Sequence, residues 1–202
     1  PKTPYDPLKD LAPVSLIATA PLVLAVPSSY AGTARDFVKA GLKAGNTWSY
    51  GTPGQGTVAH LGMELIKSKA GLSPVHVPYP GNPQVVNAML GGQIQLALLP
   101  PGLAMPQVQA GRLKAIAVTS AGRSALVPGL PSLTELGIQG VDLEVWNAIA
   151  VPATMPSNVR NLLAVLVSSR KSIARVQITP IIDVRARTSL LLAVRQPDRL
   201  VS

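Results

Sequence analysis

The sequence predicts an α/β protein built around a mostly parallel β-sheet. Apolar, β-leaning segments alternate with helical segments of about ten residues, and such alternation is typical of parallel sheets with crossover helices. The composition agrees, because 47% of the 202 residues are hydrophobic, only 3% are aromatic, and small residues that suit tight helix-to-sheet contacts are common. A chain of this kind can bury a sizeable core, which excludes disorder over most of its length.

The first elements are two strands and a helix. Residues 14–18 and 22–26 are apolar runs closed by prolines and predict the strands. The Thr33-x-x-Asp36 pattern is a capping box that begins the helix, and Gly45 ends it. A third strand, at 47–50, then enters a glycine-rich segment.

Thr57 follows the glycines and is predicted to N-cap the next helix. Leu61 and Leu65 lie four residues apart on one face of this helix, and Gly71 is expected to end it. A short strand at 75–77 follows and leads into a turn.

Alternation continues through the second half of the chain. Asn82, with Pro83 behind it, is predicted to cap a helix that ends at Gly91-Gly92. A second capping box, Ser132 to Glu135, is closed by Gly137. The remaining predicted elements are a strand at 94–99, a helix at 103–110, strands at 113–118 and 143–151, a helix from about 157, and strand-like segments at 173–178 and 181–184.

Charge and composition argue against several classes of function. The net charge is +9, but residues 159–202 hold eight Lys or Arg against two Asp or Glu, so most of the excess lies in the tail. No aromatic residue lies between those basic residues, so nucleic-acid binding is not expected. The absence of cysteine excludes disulfides and thiolate metal sites, and no apolar run is long enough to span a bilayer.

The segment Gly51 to Thr57 is the candidate ligand site, because it lies between a predicted strand and a predicted helix. Glycines allow close backbone approach, and the free amides and positive dipole end of a helix start attract anions. Thr52 and Thr57 add hydroxyl donors. The turns at 78–81 and 100–102 follow later strands and are expected at the same sheet edge, so that three loops converge on one cleft.

Other interpretations of this segment stay open. Gly54-Gln-Gly56-Thr-Val-Ala59 matches a dinucleotide-binding fingerprint, although Pro78 and Tyr79 stand where a ribose-binding acid is expected. Thr57 replaces the lysine of a nucleoside-triphosphate P-loop. The glycines could also serve only a tight turn. An enzyme that binds a phosphate or dinucleotide cofactor and the effector-sensing domain of a transcription regulator are therefore the alternative functions.

The two histidines do not build a catalytic or metal site. His60 could donate to a bound anion or pack against its neighbours, and His76 is interpreted as structural. His60 and Glu64 have helical spacing, but two ligands are too few for a metal. A triad or carboxylate pair cannot be assembled, so no catalytic residue, metal or cofactor is predicted. Trp146 and Tyr79 could wall the cleft or belong to the core.

Several motifs in order resemble the tripartite tricarboxylate transporter receptors, also called the Bug family. The resemblance covers about residues 4 to 163. It is carried by Tyr5 to Ser15, Tyr50 to Thr57 with His60-Leu61, His76 to Tyr79, Leu90 to Gln93, Ala110 to Ser120 and Val151 to Ala153.

The resemblance implies a periplasmic type II binding-protein fold, whose two α/β lobes close on a carboxylate and deliver it to membrane permease subunits. It implies one nearly complete lobe at 27–142, preceded by a remnant of the first lobe and a hinge strand at 1–26. Residues 143–202 would supply the return hinge strand, a helix and a divergent basic tail. The ligand-facing positions carried over are Thr52, Gly54, Gly56, Thr57, His60 and Tyr79. A periplasmic monomer is expected.

The sequence departs from the family in three places. Pro80 stands where members often carry a lysine, the family's first lobe begins well ahead of Tyr5, and an Arg-rich sequence replaces acidic helices after about Leu163. We therefore expect a receptor truncated at its N-terminus and divergent beyond 163. Such a chain should bind its anion weakly or not at all.

Overall fold

A computed structural model of the chain describes residues 4–169, in which seven strands and six α-helices are numbered in chain order. The strands are β1 (Leu11–Pro21), β2 (Val23–Pro27), β3 (Ser49–Thr52), β4 (Val75–Pro78), β5 (Leu96–Leu99), β6 (Leu113–Val118) and β7 (Glu144–Pro152). The helices are α1 (Pro7–Asp10), α2 (Phe37–Ala44), α3 (Val58–Ala70), α4 (Asn82–Leu90), α5 (Pro101–Gln109) and α6 (Ser157–Ser169). The strand-like segments predicted at 173–178 and 181–184 lie outside the described residues.

Packing divides the chain into two units. Thr19–Trp146 forms the larger unit, and the described residues before and after it form the smaller one. The predicted domain boundaries after residues 26 and 142 stay a prediction.

The larger unit contains a five-stranded sheet with the order β4-β3-β5-β2-β6. β3 is parallel to β4 and β5, whereas β2 is antiparallel to β5 and β6. Four strands therefore point the same way, and the prediction of a mostly parallel sheet is confirmed. Because β4, β3 and β5 are parallel neighbours, the turns that follow them lie at one edge of the sheet, as predicted.

Both faces of the sheet are buried at the central strands β5 and β2, which explains why these two strands are continuously apolar. In β2 and the residue before it, side chains alternate between two cores. Leu22 and Leu24 pack on the face that carries Phe37 and Met63, in one hydrophobic cluster. Val23 and Ala25 face the opposite way, into a second cluster with residues of α4 and α5.

A buried threonine joins three segments of the larger unit. The hydroxyl of Thr119 accepts a hydrogen bond from the Leu22 amide at 2.8 Å and donates to the Leu143 carbonyl at 2.6 Å. Thr119 is fully buried, so its hydroxyl satisfies the buried Leu22 amide and the part-buried Leu143 carbonyl.

Several predicted helix ends are confirmed, but the Thr33 to Asp36 pattern was wrong as a helix start, because α2 begins at Phe37 and no side chain caps it. Thr57 caps α3, and Gly71 ends it in the left-handed conformation with φ of 68°. The Ser132 to Glu135 capping box forms both of its reciprocal hydrogen bonds, but it opens only a three-residue 3₁₀ turn. The prediction for Asn82 was wrong by one residue, because α4 begins at Asn82 and no side chain caps it.

The buried face of α3 differs from the one that its leucines suggest. Leu61 is 58% exposed, whereas the buried residues are Ala59, Gly62, Met63 and Ile66. Small residues on this face let the helix lie close to the sheet, which leaves the larger Leu61 side chain outside the core.

The smaller unit is built on the pairing of β1 with β7 in a two-stranded sheet. Its core contains Ala12, Val14 and Val151, against which Leu163 and Ala164 of α6 pack. Across residues 4–169, no helix combines the length and apolar character needed to cross a bilayer.

Candidate functional site

The glycine-rich segment forms a tight turn between β3 and α3. Gly54 and Gly56 have φ of 135° and 78°, conformations in which a side chain would be strained. Thr57 closes the turn, because its hydroxyl donates to the Gly54 carbonyl at 2.8 Å and accepts from the His60 amide at 3.4 Å. The turn is thus determined by local hydrogen bonds and by glycines that the backbone requires.

Protein groups accept some of the amide hydrogens of this turn. The Gly54 amide points to the Thr52 hydroxyl at 3.4 Å, and the Gly56 amide donates to Nδ1 of His60 at 3.2 Å. These two glycine amides are therefore not free donors in this structure.

The first-turn amides of α3 are not bonded by other described residues. Thr57, Val58 and Ala59 find no acceptor for their backbone N–H groups among residues 4–169. Three consecutive free amides at the positive end of a helix dipole form an arrangement suited to an anion. Gln55 and Gly56 beside them are exposed.

Thr52 stabilises the turn from its buried side. It is fully buried, and its hydroxyl donates to the Gly54 carbonyl at 3.1 Å and lies 2.7 Å from Nε2 of His76. Tyr79 lies next to it, since the Tyr79 amide donates to the Thr52 carbonyl at 2.9 Å and its ring packs against the sheet core. The structure thus brings all six predicted site residues into one region, and their contact with a ligand stays a prediction.

Three rings stack beside this turn. The ring centroids of Tyr50 and His76 are 4.9 Å apart, and those of His76 and His60 are 4.3 Å apart. Tyr50 and His76 are register partners on the parallel strands β3 and β4, so their side chains emerge side by side on one face. His60 extends this stack from α3.

Glu64 and Lys67 form an ionic network that contacts Tyr50, at one end of the stack. The Tyr50 hydroxyl donates to the Glu64 carboxylate, which also pairs with the Lys67 ammonium at 2.7 Å. Lys67 and Tyr50 lower the pKa of Glu64, while burial and the neighbouring Glu64 raise the pKa of Tyr50. Glu64 is therefore an ionised acceptor, and Tyr50 keeps its proton.

Burial lowers the pKa of His76, and the nearby His60 acts in the same direction. His76 is consequently held neutral next to the Thr52 hydroxyl. The interpretation of His76 as structural missed this link, which connects β4 to the turn.

Part of this network could have been found from the sequence. His60, Glu64 and Lys67 have the i, i+4, i+7 spacing of one helix face. Their partners Tyr50 and His76 could not have been found, because their contact depends on the register of two strands. Glu64 pairs with Lys67 rather than with His60. Trp146, a candidate for either the cleft wall or the core, is 60% exposed and so does not belong to the core.

The structure adds no residue that would support a dinucleotide-binding site or a metal site. β4 ends at Pro78, level with Thr52, so no acidic side chain stands at the position expected for a ribose-binding residue. Among the described residues, no group of three or more His, Cys, Asp or Glu could hold a metal ion.

The fold is that of one lobe of a type II periplasmic binding protein, with a mostly parallel sheet covered on both faces. The solved structure of R. palustris Rpa4515 with adipate superposes with a TM-score of 0.79 at 27% identity, covering 83% of this chain and 56% of that one. A structure described as a periplasmic transporter gives a TM-score of 0.78 at 31% identity, covering 89% and 62%.

Sequence comparison agrees with the fold. The family model for the "Tripartite tricarboxylate transporter family receptor" matches residues 1–178. The chain is 33% identical over 160 residues to a UPF0065 protein of Bordetella bronchiseptica, covering 79% of this chain and 47% of that protein. Protein BugT of Bordetella pertussis is 30% identical over 153 residues, covering 75% and 47%. The chain belongs to the tripartite tricarboxylate transporter receptor family, and it spans about half the length of these curated relatives.

Proposed function

We propose that this chain is a solute-binding receptor that holds a small organic carboxylate at the start of α3 and does not convert it chemically. The observation that carries the proposal is the row of free amides at Thr57, Val58 and Ala59. Family membership and the adipate in R. palustris Rpa4515 support a carboxylate as the ligand class.

Within this site we assign different roles to the predicted residues. Thr52 supports the turn rather than the ligand, since its hydroxyl is engaged with Gly54 and His76. Gly54 and Gly56 shape the turn, and Thr57 presents the amides. Tyr79 would form the neighbouring wall, and His60 would lie at the edge of the anion.

We further propose that the ligand sits in an interlobe cleft, of which this chain supplies mainly one side. The receptor would act as a monomer in the periplasm and deliver its carboxylate to membrane permease subunits. Family membership supports the periplasmic transport role, and this chain matches the family's members over only part of their length.

The expected affinity is weak. Three hydrogen bonds to a carboxylate contribute about 1.5–3 kcal/mol each, and association costs at least about 4 kcal/mol in lost freedom. The remainder, at most about 0.5–5 kcal/mol, corresponds to a dissociation constant of about 0.2 mM or weaker.

Calorimetric titration with adipate tests the proposal, and a matched pair of variants locates the site. Gln55→Glu adds one negative charge beside the free amides and should abolish binding, while the helix dipole tolerates an acid there. Gln93→Glu makes the same change on an exposed residue before β5, at the opposite sheet edge, and should bind adipate normally. Equal loss in both variants, or equal binding by both, would count against the site. Recovered adipate should be chemically unchanged.

A further inference from the structure

β6 is the last strand of the five-stranded sheet, and part of its outer edge is unpaired. Arg112 accepts a hydrogen bond from the Ser28 amide at 3.3 Å, and Lys114 is the register partner of Val26, so both residues turn their backbone groups toward β2. Alternate residues of an antiparallel pair point to opposite sides. The amide and carbonyl of Ala115 therefore point away from β2, where residues 4–169 offer them no partner.

The far end of this edge is already occupied. Val118 donates to the Pro131 carbonyl at 2.9 Å and accepts from the Leu133 amide at 3.1 Å, and these bonds form a parallel bridge between Val118 and Ser132. The chain thus adds an extended segment of its own to this end of the edge. Residues 113–115 are left open.

A groove of about 430 Å³ follows the open part of the edge. One wall contains Ala34, which packs against the hydrophobic cluster on the α2 side of the sheet. The opposite wall contains Val108 of α5, which packs against the other cluster. Because the two walls come from opposite faces of the sheet, the groove runs along the edge of β6, and Ala115 lines it between them.

The two walls differ in chemistry. Arg112 and Lys114 alternate with Ala115, so their side chains emerge on the α2 side, where the Lys114 ammonium donates to the Tyr30 carbonyl. Arg35 precedes α2 on the same side. The wall on the α5 side is built from apolar residues and a glycine.

The cations of the α2 side lack a carboxylate partner in the described part of the chain. Arg35, Arg112 and Lys114 are exposed, and none belongs to an ion pair found in residues 4–169. Asp36 follows Arg35, but its carboxylate accepts from the amide and the hydroxyl of Thr33 at 2.9 and 2.6 Å. This side of the groove therefore attracts negative charge.

We propose that the open edge of β6 is a docking site for an extended segment of another protein, in which acidic residues alternate with apolar ones. The segment would exchange backbone hydrogen bonds with Ala115 and add a strand to the sheet. Its acidic side chains would face Arg112 and Lys114, and its apolar side chains would face Val108. This docking does not depend on the carboxylate site at the start of α3.

A second copy of this chain fits the edge less well. Antiparallel pairing of two β6 edges would bring Arg112 and Lys114 of each copy toward those of the other, and like charges across paired strands are destabilising. A lysine on an edge strand is a common safeguard against such self-pairing. Charge complementarity therefore favours an acidic partner.

Amide hydrogen exchange of the full chain, followed by nuclear magnetic resonance, tests the docking site. The probe is a synthetic peptide of about eight residues with alternating Glu and Val, which is longer than the open part of the edge. Without peptide, the Ala115 amide should exchange faster than the Lys114 amide, which faces β2. The peptide should slow exchange at Ala115 by about tenfold or more and leave Lys114 unchanged. Equal exchange of the two amides without peptide, or no slowing at Ala115 with it, would overturn the proposal.

Two control peptides separate strand addition from simple charge attraction. One has the same composition but places all Glu before all Val, and the other alternates Lys with Val. In a fluorescence titration each should bind at least about tenfold more weakly than the probe, because the first does not match the two walls and the second is repelled by Arg112 and Lys114. Equal binding by the rearranged peptide would refute strand addition.

Three variants locate the contact. Ala115→Pro removes the outward amide at a position where an edge strand tolerates proline, so the affinity for the probe should fall by at least about tenfold. Lys114→Glu replaces attraction by repulsion and should lower the affinity by about twofold to tenfold. Lys69→Glu makes the same charge change at an exposed position near the end of α3 and should bind as wild type does. Normal binding by Ala115→Pro would contradict the proposal.

A peptide N-methylated along its backbone serves if Ala115→Pro does not fold. This peptide cannot donate to β6, so undiminished binding to the wild-type chain would also refute the inference. Sedimentation of the chain alone reports self-association. A dimer that the probe dissociates would assign the edge to a second copy and overturn the acidic partner.

Discussion

Gly51, the last residue but one of β3, leaves no room for a side chain. A methyl group there would overlap Cδ1 of Ile94 and would lie 3.2 Å from both Cε2 of Tyr79 and Cγ1 of Val85. Gly51 is buried, so Gly51→Ala overpacks the core directly below the glycine-rich turn. Overpacking of this kind costs about 1–3 kcal/mol.

A double-mutant cycle separates this overlap from other effects. Ile94→Val removes the methyl group that comes closest and by itself should cost about 0.5–1.5 kcal/mol. The double variant should lose less stability than the sum of the two single costs, by about 1 kcal/mol or more. The reason is that the space left by Ile94→Val accommodates the methyl group added by Gly51→Ala. Relief will be partial, since the contacts with Tyr79 and Val85 remain.

Urea unfolding followed by circular dichroism gives the free energy of unfolding of all four proteins. In a thermal melt, a cost of about 1 kcal/mol should lower the melting temperature by about 2–4 °C in a chain of this size. Additive costs in the double variant would refute the packing argument. A Gly51→Ala variant as stable as wild type would do the same.

Three further predictions concern single side chains. Thr57→Ala should destabilise the chain by about 1 kcal/mol because α3 loses its N-cap, whereas Thr57→Ser should retain most of the stability in the same urea experiment. Thr119→Val should cost about 2 kcal/mol by leaving the buried Leu22 amide and the part-buried Leu143 carbonyl unpaired, and Thr119→Ser, which keeps the hydroxyl, should cost clearly less. The lowered pKa of His76 means that the unfolded chain binds more protons, so stability is fully present above about pH 6.5 and falls as the pH drops below it. Melting temperatures should therefore decrease from about pH 7.5 to about 5.5, and a His76→Gln variant with an equal decrease would contradict this origin.

Local signals in the sequence predicted much of the scaffold. Thr57 and Gly71 determine the ends of α3 through hydrogen bonds within a few residues, and these signals act in the same way in any α/β fold. The run Leu22 to Val26 predicts a strand for a similar reason, since every residue is apolar.

Other outcomes depended on how the elements pack. The spacing of Leu61 and Leu65 suggested a buried leucine face, yet close packing of α3 on the sheet buries Gly62 and Met63 and exposes Leu61. The second capping box formed as predicted but supports only a short turn, because its hydrogen bonds fix the start of a helix and not its length.

By itself, the sequence determined the fold class, the family and the position of the glycine-rich turn, because motifs and helix ends are encoded in neighbouring residues. Only the tertiary structure decided which amides of that turn are free and which are occupied. Gly56 donates to His60 four residues away, but His60 is placed by a stack with His76 and Tyr50 that depends on strand register. Register is a property of paired strands, and no pattern within either strand records it.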